Sequence, residues 1–422
     1  MSGKNGMKSA VFAFVIVAGL TATASNVRDF GAVGDGVRND TAAIQRAIDA
    51  GGLVHFPPGV YLTGTLYLKS NGGLDLDPGA RILGSTRLED YNKPDFCPQN
   101  YGAENKWKTH LIVAVEQTNV VIRGGTIDGN APGIWAAAPK GFRSCFGGRS
   151  VLRDAPWMPA QMIFLAECEH VRVEDSRLVN SGFWNLLLWG SEHVTVRGLH
   201  IRSSPHLCGD DGIDIDCCRF VTVSDCQIDV GDDGITIRAS ANRLLRRKRA
   251  CEYVSVANCI VRSDYAHAVR VGVGSGTIRH CKLSNLIMND TRCAIHVNPK
   301  YGDAGTGCSI SDVTFDNIQA TSDMFLFVAL DYVGVTTNRF AGVLSDLRFS
   351  HLTGTTKLPI VVRGNDIGRI ERLRVEDSDF AFLSADGLTD GDRGFFMFDP
   401  ADAGPRIQTN GTDTVFRNVS FR

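Results

Sequence analysis

Five short segments in the middle of this chain carry acids, histidines and arginines at matching positions. With their apolar residues in register they read Trp184-Asn185-Leu186-Leu187-Leu188-Trp189, Asp211-Gly212-Ile213-Asp214-Ile215-Asp216, Asp233-Gly234-Ile235-Thr236-Ile237-Arg238, His267-Ala268-Val269-Arg270-Val271-Gly272 and Cys293-Ala294-Ile295-His296-Val297-Asn298. If the segments stack as neighbouring strands, about 4.8 Å apart, they build three outward columns. The first is Trp184, Asp211, Asp233, His267, Cys293, with Asp232 beside it. The second is Leu187, Asp214, Thr236, Arg270, His296, and the third is Trp189, Asp216, Arg238, Gly272, Asn298. Each residue alone has an ordinary explanation, since Asp-Gly is a common turn pair and a single histidine is usually only surface. Together they crowd like charges, which raises carboxyl pKa values. A fold has no need of that cost, so the constellation reads as a site. Paired carboxyls, one donating a proton and another activating water, are the equipment of glycosidic bond cleavage. Tryptophan faces beside them suit sugar rings.

The elements that must position these columns follow from the apolar pattern. Short alternating stretches recur along the chain: Val120-Val121-Ile122, Val171-Arg172-Val173, Val194-Thr195-Val196, Val221-Thr222-Val223 and Val254-Ser255-Val256, then members near Ile278, Ile310, Leu344 and Leu373. Alternation marks strands with one buried face. Recurrence at roughly 22 to 27 residues marks a solenoid whose units bury their apolar faces only by stacking. An all-β, right-handed parallel β-helix is expected, as one domain over 26–422. A β-sandwich is the alternative, but its strands do not repeat with one coil-like period. One helix is expected over 40–48, capped by Asn39-Asp40-Thr41 and lidding the first coil through Ala43, Ile44, Ala47 and Ile48. The 45 glycines are expected at coil corners and beside the aspartates, where Gly212, Gly231, Gly234 and Gly272 would leave room for a ligand.

Composition narrows the function further. With 44 Lys+Arg against 46 Asp+Glu, the net charge of −2 argues against a nucleic-acid binder and a polybasic membrane-surface protein. The basic run from Arg243 to Arg249 is expected to be an exposed loop insertion between coils. At the N-terminus, Lys4 and Lys8 precede an apolar run from Ala10 to Leu20 and a small-residue stretch. That order fits a secretory leader over 1–25, giving a secreted or periplasmic protein with no membrane insertion in its mature form. The 12 cysteines lie between Cys97 and Cys308 without a C-x-x-C metal spacing. Export permits disulfides; buried thiols at similar places in successive strands, such as Cys168, Cys226, Cys259 and Cys281, are the equal alternative.

From about Val27 to Asn298 the chain resembles glycoside hydrolase family 28, the polygalacturonase family. The likeness rests on Asp29-Phe30-Gly31-Ala32-Val33-Gly34-Asp35-Gly36, Phe56-Pro57-Pro58-Gly59-Val60-Tyr61, Gly124-Gly125-Thr126-Ile127-Asp128-Gly129 and Asn180-Ser181-Gly182-Phe183-Trp184. The family's Asn-Thr-Asp-Gly motif stands as Gly209-Asp210-Asp211-Gly212, its Gly-Asp-Asp as Gly231-Asp232-Asp233 and its Gly-His-Gly as Ala266-His267-Ala268. The resemblance implies Asp232 as general acid, Asp211 and Asp233 as the pair acting on water, and His267 tuning the acid's proton and holding the geometry. It implies a monomer acting on pectic polysaccharide or oligosaccharide without metal or cofactor. The family's Arg-Ile-Lys motif, which holds a galacturonate carboxylate, aligns with His296-Val297-Asn298, and neither replacement is a permanent cation. Arg270 or Arg238 would substitute, or the sugar at the cleavage point is neutral. The binding set is then Arg270, Arg238, His296, Asn298, Trp184 and Asp214. Two rival readings remain: a lyase on the same fold using Ca²⁺ at Asp211, Asp214 and Asp233 with Arg270 as base, and a binding solenoid with a decayed catalytic face.

Overall fold

A computed structural model describes residues 25–93, 95–100, 109–137, 143–145, 149–151, 159–203, 209–240, 244, 246, 249–300, 307–330, 340–385, 388, 407–410 and 412–422. The expected leader therefore lies outside the described residues except for Ser25, as does part of the Arg243–Arg249 run.

The alternating stretches form strands, three to a coil, because each places valine, isoleucine or leucine inward at every second residue. One coil holds Trp184–Trp189, Glu192–Arg197 and His200–Arg202; the next holds Ile213–Asp216, Arg219–Ser224 and Gln227–Val230; a third holds Ile235–Ala239, Cys251–Ala257 and Ile260–Ser263. In these coils each strand pairs in parallel with its counterpart one coil on, whereas Arg143–Cys145 and Arg149–Val151 form a separate antiparallel pair. The registers run Leu186, Ile213, Ile235, Val269, Ile295 on one side, Val194, Val221, Val254, Cys281 on the second, and Ile201, Ile228, Val261 on the third. These residues are buried in one continuous core, each contributing roughly 1.5–3 kcal/mol by leaving water. The all-β, parallel coil expected from the alternation is the architecture observed. Towards the C-terminus the ladder pairing runs on through the corners, so that Thr277–Lys300 and Ser309–Ala329 are continuous strands that still turn at left-handed residues such as His280, Asn285, Asp312 and Asn317.

The helix spans Thr41–Asp49 and buries Ala43, Ile44, Ala47 and Ile48 in the same core as Val54 and Leu66. Its capping differs from expectation. Asp40 makes no side-chain cap; its carboxylate instead accepts the backbone N–H of Val33 and Gly34, both at 2.9 Å, and fastens the opening loop. Asn39 Oδ1 takes the Thr41 N–H at 3.0 Å.

The corners correct the expectation about glycine. Most corner residues with positive φ are not glycine: His170, His193, Phe220, Tyr253 and His280 occupy one corner at φ between 54° and 57°. Their rings stack coil on coil with centroids 4.9–5.1 Å apart. At another corner Asn317 donates to Asn285 and Asn285 to Asn258. Ring stacking and amide hydrogen bonds offset the backbone cost that a side chain meets in this region.

The thiol expectation resolves to free, mostly buried cysteines among the described residues. Cys226 and Cys259 share one column, as the pairing of Gln227 with Ile260 requires. Cys281 faces Val254 in a different one. From the basic run, Arg249 reaches Glu192 at 2.5 Å and Arg246 reaches Glu116 at 2.6 Å, while Leu244 is buried. The described part of the insertion thus packs against the chain's own acidic corner.

Candidate active site

Two of the three expected columns form as read. Leu187, Asp214, Thr236, Arg270 and His296 are ladder partners in unbroken sequence, and His267 pairs with Cys293. The third column departs after Arg238. A bulge between Val271 and Val273 sets Arg238 opposite Val273, and Val273 opposite Lys300, so Gly272 and Asn298 fall out of line. Gly272 adopts φ 118°, where only glycine rests without strain.

The glycines beside the aspartates serve packing between coils. A Cβ on Gly212 would collide with the carbonyl oxygen of Gly234, and one on Gly234 would meet the Ala268 carbonyl oxygen at 2.7 Å. The crowding comes from the next coil's backbone, not from space kept for a ligand.

Among the described residues, six carboxyl groups converge here with the guanidinium groups of Arg238 and Arg270 and the imidazole of His267. Asp210 and Asp214 are fully buried, Asp211, Asp216 and Asp233 nearly so, and Asp232 alone keeps partial exposure. Asp233 is gripped from two sides: His267 Nδ1 lies 2.5 Å from its Oδ1 and Arg270 Nη1 donates to its Oδ2 at 3.1 Å. Burial alone would push Asp233 up, but these two neighbours hold its carboxyl well below the usual range. Asp232 sits one residue away and goes the other way. Burial and the Asp233 charge push it up to about 7, against hydrogen bonds from Gly209 N at 2.6 Å and Asp233 N at 3.0 Å. Asp211 is also raised well above its ordinary value, by burial and then by Asp214, Asp232 and Asp233. The two adjacent carboxyls are thus pushed in opposite directions by their surroundings.

The other expected residues have structural partners. Asp214 is raised to about 7 by burial despite Arg238, whose Nη1 donates to it at 3.3 Å and whose Nε lies 3.4 Å from Asp216. Trp184, expected to offer a face to sugar, stacks on Phe183 with centroids 5.5 Å apart and lies 4.5 Å from the Arg238 guanidinium. His296 lies between two rings, 4.0 Å from His267 and 4.9 Å from Phe327. Asn298 is fully buried and donates to Ala329 O at 2.8 Å.

One functional group was missed as such. Asp210 is fully buried, and its two oxygens accept the backbone N–H of Gly231 at 2.9 Å and Asp232 at 2.8 Å. It is the anchor of the turn that presents Asp232. Asn185 supports the same corner, donating to Ser203 Oγ and to the carbonyls of Asp210 and Asp211. Asp-Asp doublets at 210–211 and 232–233 were the available signal for Asp210.

Known proteins share this architecture. The chain superposes on the exopolygalacturonase of Thermotoga maritima with a TM-score of 0.71 at 20% identity, covering 95% of this chain and 92% of that one. It matches the Yersinia enterocolitica family 28 exopolygalacturonase with a TM-score of 0.66 at 20% identity, covering 94% and 78%. In sequence it is 24% identical to a probable polygalacturonase of Vitis vinifera over 67% of this chain and 58% of that protein. It is also 24% identical to an endo-polygalacturonase of Pectobacterium parmentieri over 77% and 80%. The chain thus spans a little over half of the grapevine relative. Residues 24–74 match the family described as rhamnogalacturonase A/epimerase, pectate lyase-like. Over residues 98–363, more than half of its length, the chain matches the glycosyl hydrolases family 28, and it belongs to that family of glycosidases.

Proposed function

We propose that this protein hydrolyses a glycosidic bond of a pectic polysaccharide or oligosaccharide with inversion at the anomeric carbon. The observation that carries the reading is the unlike setting of two neighbours: Asp233 is buried and gripped by His267 and Arg270, while Asp232 is partly exposed and takes only backbone N–H groups, which holds the first carboxyl low and lets the second rise. Asp232, the partly exposed one, donates its proton to the leaving oxygen. Asp233 and Asp211 orient and deprotonate the attacking water. His267 and Arg270 keep Asp233 ionised, so His267 acts through the base rather than directly on the acid.

The arginine partners of Asp214 and Asp233 favour hydrolysis over a calcium-assisted elimination, which needs those carboxylates for the ion. We take the solenoid as one right-handed domain over 26–422, exported by the 1–25 leader to the periplasm or medium and acting as a monomer. The decisive variant is Asp232→Asn. It should stay folded, with a single cooperative melt, and lose about 10²–10⁴-fold in turnover on pectic extracts. Wild-type turnover in that variant would remove Asp232 from the mechanism.

A further inference from the structure

The charge arrangement of the site speaks to the sugar it accepts, and this step rests on the hydrolase reading above. Among the described side chains of the columns, both guanidinium groups pair with carboxylates of the chain itself. Arg238 meets Asp214 and Asp216, and Arg270 meets Asp233, which the His267 imidazole also meets. All three side chains are nearly buried, so turning Arg238 to a ligand would take the ion pair from Asp214 and Asp216, and turning Arg270 away would leave Asp233 on His267 alone. His296 has a ring on each side, and Asn298 is buried with its amide donating to Ala329 O. Neither is a permanent cation of the kind that holds a carboxylate.

The balance of charge points the same way. Asp210, Asp211, Asp214, Asp216, Asp232 and Asp233 already share this buried corner, where burial and their neighbours push Asp210, Asp211, Asp214 and Asp232 away from ionising, and a sugar carboxylate would be one more acid meeting the same resistance. Like charges brought together in such a place repel strongly, and a ligand charge without a partner pays its desolvation uncompensated. A sugar with only hydroxyls brings donors that buried carboxylates can accept.

We infer that the sugar whose anomeric carbon is attacked at the Asp232 corner is uncharged, a neutral hexose or deoxyhexose within a pectic chain rather than a free uronate. Uronates then belong further along the groove or across the leaving bond.

The test labels the bond that is cut. A saponified pectic extract, in which every galacturonate carries its charge, is digested with the wild-type protein and in parallel with Asp232→Asn. New reducing ends are then converted to deuterium-labelled alditols with borodeuteride and identified by mass spectrometry. The labelled end is the attacked sugar. We expect neutral labelled alditols to exceed uronate-derived ends by at least about a hundredfold. Labelled ends that are chiefly uronates would overturn the inference while leaving hydrolysis intact. Labelled ends no more abundant than with Asp232→Asn would overturn the hydrolase reading on which it stands.

Discussion

Asp232 and Asp233 are consecutive residues with opposite surroundings, and catalysis by this pair depends on keeping them so. Activity should fall as pH rises through about 7, where Asp232 loses the proton that it must donate; a pH profile of kcat/KM reads that limb directly. Substituting Arg270→Met removes one of the two groups holding Asp233 ionised. The acidic limb should then move to higher pH, with about a tenfold or greater loss of rate near pH 5. An unmoved acidic limb would show that Arg270 does not govern Asp233. Asp210 gives a second prediction. In Asp210→Asn one of the two backbone N–H groups at Gly231 and Asp232 would face an amide N–H, costing about 1–3 kcal/mol in stability. Turnover should fall as well, because the turn carrying the acid loosens; a melt and a rate measured together separate the two effects. The acid pair was legible in the sequence as Gly231-Asp232-Asp233. Asp210 was not, because a carboxylate that serves backbone N–H groups has no spacing of its own.

The strands set which side chains meet, and their pattern was readable wherever alternation ran unbroken. Two columns came straight from the isoleucines and valines at 213, 215, 235, 237, 269 and 271. The third slipped because a bulge at Gly272 adds a residue without interrupting the apolar run. Helix 41–49 was equally legible, yet Asp40 turned from capping to holding Val33 and Gly34, a choice that only the loop's path decides. The glycines at 212 and 234 hold neighbouring coils at contact. Gly212→Ala should therefore destabilise by roughly 1–3 kcal/mol and cut activity by spreading the coils that carry Asp211 and Asp233. A melting temperature unchanged from wild type would show that the backbone yields there without cost.

Across the whole molecule, burial of acids makes stability depend on pH. Asp214 and Asp232, raised to about 7 when folded from an ordinary 3.8, contribute stability that is complete below about pH 4 and is lost as pH climbs through 7. Asp233, held low, contributes in the opposite sense: its share is present above about pH 4 and lost on further acidification. The melting temperature should thus decline between about pH 4 and pH 7, and Asp214→Asn should make that decline shallower. Parallel stacked strands suit this chemistry, because residues distant in sequence meet at the same position on successive turns. The central claim is single-displacement hydrolysis by the Asp232 corner, and proton NMR during the first minutes of digestion of pectic oligosaccharides tests it most directly. The account predicts that the newly formed reducing end first appears as the anomer opposite to that of the cleaved bond, and equilibrates only later. First appearance of the same anomer, with Asp232→Asn inactive, would contradict it.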